Sequence, residues 1–281
     1  AVHLFFVISG FIITKLLLAE RSRTGSIDLR SFYRRRILRI LPPLIAMLAV
    51  TWLLEQGGIL GPSDTHLQAA LFLCNTTFGP CVGQFGHLWS LAVEEQFYMV
   101  WPFVLLLFGP RAPLVAFVVL CVLTQTAWFY VAWVHNEIAF ACVGVGALVA
   151  ARPGLARAFP LWLVALCACL FIARPLIPLV FPLQYRIHSL LMPLFAGVAA
   201  FGLRHAFRDS KWLAGVGLWS YSIYLWQQMF LVPRPLYPVD SPLPLWPLLF
   251  VVAFLSYRWI ELPFQRMGRA PRVALASKSI A

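Results

Sequence analysis

Long apolar runs, broken by short polar and arginine-rich intervals, dominate the chain. A membrane-spanning helix needs roughly 17–25 mostly apolar residues. Runs of this kind occur at 2–19, 40–56, 88–108, 113–134, 159–180, 187–203, 214–233 and 244–260. A ninth, 138–151, is short, but its Gly144 and Gly146 suit close packing against another helix. The pattern predicts an all-α fold, a polytopic transmembrane helix bundle of about nine spans. Residues 68–78 are shorter still and end in 75-NTTFGPC-81, so they are expected to form a re-entrant or surface piece. There is no repeat, low-complexity tract or hydrophilic domain, which leaves one membrane domain over 1–264 and a cytoplasmic tail over 265–281.

Composition points the same way. The chain is 61% hydrophobic and 11% charged, against about 25% charged residues in soluble domains. The net charge of +12 would suggest nucleic acid in a soluble protein. Here the cations sit between apolar runs, and no base-reading module is visible, so positive-inside anchoring accounts for them. Arg21, Arg23, Arg30, Arg34, Arg35, Arg36 and Arg39 crowd the interval 20–39 and mark it as cytoplasmic. Alternation then leaves only Arg174, Arg186 and Arg234 towards the outside. Ala1 accordingly starts outside, and an odd number of spans, most simply one, is expected before it. The six cysteines lack zinc spacing, and no metal site is expected. Cys74 and Cys81 flank a short polar loop, where an oxidising compartment would permit a disulfide.

The most informative stretch is 87-HLWSLAVEEQFYMVWPFVLLLF-108. At 100° per residue, His87, Ser90, Glu94 and Tyr98 form one stripe that runs about 16 Å along the helix, with Glu95 on a neighbouring face. Two carboxylates near a span's centre cost about 5–7 kcal/mol on insertion scales, whereas the helix's apolar residues offset roughly 3–7. Such a helix is marginal when surrounded by lipid, so the stripe should face the bundle interior or a water-filled cavity. A structural polar lock to an Arg is one reading. The combination of His, acid and Tyr on one face favours the other, which is chemistry.

The segment 32-FYRRRILRILPPL-44 places Arg35, Arg36 and Arg39 on adjoining helix faces at the cytoplasmic edge. Guanidinium forks suit bidentate phosphate contacts, and attraction to anionic lipid is the simpler alternative. In 219-WSYSIYLWQQ-228, uncharged polar groups suit helix–helix bonding, while Tyr224 and Gln228 share a face suited to lining a cavity. Glu261, in 259-WIELPFQR-266, is expected to pair with an inner Arg in a structural role.

Together, 4-LFFVISGFIIT-14, 32-FYRRRILRILP-42, 87-HLWSLAVEEQFYMVWP-102, 220-SYSIYLW-226 and 260-IELPF-264 resemble the membrane acyltransferase 3 family in motif and order. That family includes bacterial O-antigen and nodulation-factor O-acetyltransferases. The resemblance implies an enzyme of the bacterial cytoplasmic membrane that moves an acyl group, commonly acetyl, from cytoplasmic acyl-CoA to a hydroxyl of a cell-surface or lipid-linked glycan. Acyl-CoA enters as co-substrate and no bound cofactor is implied. The family's Arg-x-x-Arg motif maps onto Arg36 and Arg39, with Arg35 in support. Its His-x-Trp-Ser-Leu…Glu-Glu-Gln-Phe-Tyr motif maps onto His87, Trp89, Ser90, Glu94, Glu95 and Tyr98. On this reading Glu94 and His87 are catalytic, Arg35, Arg36 and Arg39 bind acyl-CoA, and Ser90, Glu95, Tyr98, Tyr224 and Gln228 line the cavity. The sequence departs from the family at Gln227, where many members have His, and at His3, where Asp is common. The family's basic residue and catalytic His of the first span would precede Ala1. A polytopic transporter with Glu94 and Glu95 as proton carriers is the alternative, but it gives the Arg cluster no particular work.

Overall fold

The structure is a computed structural model that describes residues 2–76, 81–126, 134–152, 154–155, 162, 166, 181–202, 211–231 and 246–268. Among them the regular elements are helical and no strand occurs. In chain order they are α1 (Val2–Thr24), α2 (Leu29–Gln56), α3 (His66–Ala70), α4 (Leu88–Phe108), α5 (Ala112–Thr126), α6 (Val134–Ala151), α7 (Phe181–Gly202), α8 (Lys211–Leu231), α9 (Trp246–Ser256) and α10 (Leu262–Gly268). A π-helical turn, Tyr257–Glu261, joins α9 to α10.

Four helical stretches, Val2–Thr24, Leu29–Gln56, Leu88–Leu120 and Trp246–Gly268, are long and apolar enough to cross a bilayer, and Ile138–Ala151 and Leu191–Phe201 are shorter apolar helices. The chain is an integral membrane protein. The expected count of about nine spans is not reached among the described residues, because most of 159–180 and the end of 113–134 fall outside them. Two boundaries differ from expectation. The second span begins at Leu29 rather than 40, since Asp28 caps the helix by accepting from Ser31 N at 3.0 Å and Pro42 and Pro43 lie within it. Bundle helices tolerate such prolines where neighbours satisfy the freed backbone groups. The arginine cluster therefore rides on the span's own first turns. At the other end of the chain, helix continues through the π turn to Gly268, into the expected tail.

The helices form two compact units, Ala1–Ile27 with Leu67–Leu213, and Asp28–His66 with Ala214–Ala281. In the first, α1 and α6 meet backbone to backbone. A Cβ on Gly10 would collide with Val143 O, and one on Gly146 with Val7 O. Gly144 faces Phe117 and Leu120 of α5. The expectation of close packing at Gly144 and Gly146 is met; only hydrogen fits at the Gly10–Gly146 crossing, whereas at Gly144 an added Cβ would press on the Leu120 side chain at 3.2 Å. Polar bonds join α1 to α4. Ser9 Oγ donates to Glu94 Oε1 at 2.7 Å, and Trp101 Nε1 donates to Thr14 Oγ1 at 2.8 Å. Arg21 donates to the carbonyls of Leu105 and Leu106 at the end of α4. These partners ascend together along both helices, so α1 and α4 run in the same direction, as alternation of the first and third spans requires.

In the second unit, Tyr221 Oη donates to Ile40 O at 2.9 Å and Thr51 Oγ1 contacts Met229 Sδ at 3.8 Å, so α8 runs parallel to α2. The π turn and α10 run the other way, with Arg34 bonded to Met267 O at 3.1 Å and Gly268 placed 3.6 Å (from an added Cβ) from Arg35 Cα. At the far end of α2, Glu55 pairs with His66 at 3.5 Å.

Candidate functional site

In the first unit, α4 carries the expected stripe as a continuous helix. His87 is its N-cap residue, whose carbonyl accepts from Ser90 N and Ser90 Oγ at 3.3 and 3.2 Å. Ser90 and Tyr98 are buried, while His87, Glu94 and Glu95 are half-buried. A stripe facing lipid would have left Ser90 and Tyr98 exposed. Instead the lipid-compatible face is that of Met99, Val100, Phe103 and Leu107, all about half exposed or more. The residue that the sequence reading missed is Ser9. It lies on α1, next to the Gly10 crossing that draws α1 into the interior, and its hydroxyl fixes one oxygen of Glu94. A lone hydroxyl inside 4-LFFVISGF-11 was the available signal.

Amides brace α4 at Gln96, between Glu94 and Tyr98. Asn75 and Gln96 exchange two hydrogen bonds of 2.9 Å, Gln96 Nε2 also reaches Phe72 O at 3.1 Å, and Asn136 Nδ2 donates to Asn75 O at 2.7 Å. Cys74 and Cys81 are disulfide-bonded, with Cα atoms 4.8 Å apart. The bond closes the loop next to this network. Of the other cysteines, Cys142 is free and buried, and Cys167 and Cys169 lie outside the described residues.

In the second unit, Arg35 and Arg39 are exposed, and Arg36 is half-buried with its guanidinium 5.8 Å from the Phe32 ring centroid, a cation–π geometry that holds the fork in place. The expected cluster is thus assembled on one end of α2. Glu261, at the end of the π turn, is fully buried and accepts from Ser222 Oγ and Gln265 Nε2, both at 2.8 Å. Arg39 is near enough to act on it electrostatically, although the two do not form a direct ion pair. Tyr224 and Gln228 are half-buried on α8 of this unit. No group of three metal-ligating side chains occurs among the described residues.

A sequence family described as an acyltransferase domain matches residues 1–257. The chain belongs to this family. A provisionally named O-acetyltransferase of Staphylococcus aureus strain COL is 27% identical over 325 residues, covering 95% of this chain and 52% of its own length. The O-acetyltransferase OatA of Staphylococcus aureus strain NCTC 8325 / PS 47 is 26% identical over 317 residues, with the same coverage. The chain spans about half the length of these relatives. No solved structure matches it.

Proposed function

We propose that the chain is the membrane part of an O-acyltransferase of the bacterial cytoplasmic membrane. It takes an acyl group, acetyl by similarity to the named relatives, from cytoplasmic acyl-CoA and passes it to a hydroxyl of a cell-surface or lipid-linked glycan. The observation that carries this reading is the acyltransferase-domain match along residues 1–257, and two features of the fold support it.

The first is the arginine cluster. Forks on Arg35, Arg36 and Arg39 at the inner end of α2 provide bidentate donors for CoA phosphates, and a positive rim draws an anionic donor from the cytoplasm. The second is the acid on α4. Glu94, half-buried and held by Ser9, is on this reading the base that accepts the proton of the acceptor hydroxyl as that oxygen attacks the thioester carbonyl, while CoA departs as the thiol. His87, at the outer end of the stripe, positions the sugar; Ser90, Glu95 and Tyr98 line a polar path on α4, and Tyr224 and Gln228 a polar face on α8.

The test is acetylation of membrane glycan from isotopically labelled acetyl-CoA by the full-length protein in membrane vesicles. Label in the glycan that is released by mild base as acetate supports an O-ester product. Substrate flux without CoA consumption would instead identify a proton-coupled carrier.

A further inference from the structure

Pro42 and Pro43 stand inside α2, which continues as helix from Leu29 to Gln56. Proline has no backbone N–H, and its ring crowds the carbonyl four residues back. The carbonyls of Leu38 and Arg39 therefore lose the donors that would close their i→i+4 bonds. Among the described residues no side chain donates to either of them; Tyr221 Oη of α8 donates one residue further on, to Ile40 O at 2.9 Å. A carbonyl without a donor is costly in a spanning helix, and prolines persist there where some other group makes the bond. The two carbonyls differ in setting. α2 buries Ile40, Pro43, Leu44 and Met47, so the Arg39 carbonyl, under Pro43, belongs to the packed face. Leu38 and Pro42 are half-buried and Arg39 is exposed, so the Leu38 carbonyl, under Pro42, lies at the edge of that face. It shares a helical turn with the guanidinium cluster. Helix carbonyls point towards the C-terminus, and this one is directed from the arginine turn into the span.

Resting on the donor reading above, we infer that the Leu38 carbonyl accepts an amide N–H of the donor's pantetheine arm, while Arg35, Arg36 and Arg39 hold its phosphates. A ligand for this turn must carry anions for the forks and, a few bonds away, an N–H for the carbonyl. CoA joins both in one chain, because its secondary amides lie between the pyrophosphate and the thioester. The amide nearest the pyrophosphate is the first to reach a carbonyl in the same turn as the forks. A phosphatidylglycerol headgroup supplies the anion but no N–H. Pro42 is thus a specificity-determining residue: it leaves one helix hydrogen bond to be made by the ligand, and that bond directs the arm from the arginines into the bundle.

The experiment measures binding by the purified full-length protein in lipid nanodiscs with three probes. They are acetyl-CoA, adenosine 3′,5′-bisphosphate, which lacks the pantetheine arm, and an acetyl-CoA analogue with an ester oxygen in place of the amide N–H nearest the pyrophosphate. Pro42→Ala and Pro42→Val each restore an N–H to the Leu38 carbonyl. Both should melt no lower than wild type, since proline is the poorest residue for a helix interior. Both should nevertheless bind acetyl-CoA about 5-fold more weakly, with affinity for the bisphosphate unchanged. Wild type should bind the ester analogue as weakly as Pro42→Ala binds acetyl-CoA, and Pro42→Ala should not distinguish the two ligands, because the contact that couples them is already gone. Wild-type affinity for acetyl-CoA in both Pro42 variants, or for the ester analogue in wild type, overturns the assignment. An equal loss of bisphosphate binding also overturns it, since proline would then act through the arginines. Arg36→Ala tests the donor reading separately. If it binds the bisphosphate as wild type does, that reading fails and the amide contact with it; if it is defective while the Pro42 variants are normal, only the amide contact fails.

Discussion

Ser9 Oγ on α1 donates a 2.7 Å hydrogen bond to Glu94 Oε1 on α4, so the orientation of the intramembrane acid depends on a helix eighty-five residues away in the chain. Polar bonds between membrane helices are worth about 0.6–2 kcal/mol. Ser9→Ala should therefore lower thermal stability by only a few degrees but cut kcat at least about 10-fold, because Glu94 loses its fixed rotamer. Ser9→Thr, which retains the hydroxyl, should restore most of kcat. A kcat that follows stability alone would reduce Ser9 to a packing role.

The glycine crossing makes a prediction whose sign depends on position. Gly146→Ala must displace the α1 backbone and should sharply reduce the folded, monodisperse fraction on detergent size exclusion. Gly217→Ala on α8, where an added Cβ meets nothing, should leave folding intact and stabilise the helix by up to about 1 kcal/mol. Equal effects at the two sites would contradict the packing of α1 against α6.

The Cys74–Cys81 bond closes a short loop, and in the chain-entropy account a loop of this length contributes about 2–3 kcal/mol. Its loss should release the Asn75–Gln96 amide pair. Reduction with a phosphine, or Cys74→Ser with Cys81→Ser, should speed amide hydrogen exchange over 71–76 and around Gln96 in α4. Exchange in α2 should not change.

Asp28 caps α2 outside the spanning segments, and its hydrogen bonds from Ser31 hold its carboxyl below the ordinary carboxylate range, where titration centres on pH 3.8. A depressed acid contributes stability that is fully present above its unfolded value and lost as pH falls through the lower folded one. Protection of the Ser31 amide should thus persist at pH 5 and fade only below pH 3.8. Asp28→Asn, which keeps an acceptor, should make that protection independent of pH.

Much of this architecture was legible from residue order. Apolar runs located the four long apolar helices found among the described residues, and the separation of 87, 90, 94 and 98 fixed a stripe that does avoid the exposed face. Gly146 announced a close crossing, but its partner Gly10 could not be named, because nothing in a sequence says which two helices touch. The start of α2 was hidden because the arginines of 30–39 end the apolar run, whereas the helix itself begins at the Asp28 cap. Ser9 was overlooked because a single hydroxyl in an apolar run costs little and so is a weak signal. Glu261 was expected to meet an arginine directly. It is held instead by Ser222 and Gln265, with Arg39 acting at a distance, and such second-order arrangements depend on side-chain placement that periodicity does not encode.

The central claim is that the guanidinium cluster on α2 engages the phosphates of an acyl-CoA donor. The most direct measurement is acetyl-CoA binding to the purified full-length protein in lipid nanodiscs, with acetyl-pantetheine, which lacks the nucleotide, as the comparison ligand. Wild type should bind acetyl-CoA at least about 10-fold more tightly than either Arg36→Ala or Arg39→Ala, while all three bind acetyl-pantetheine alike. Equal acetyl-CoA affinity in wild type and both variants would contradict the account.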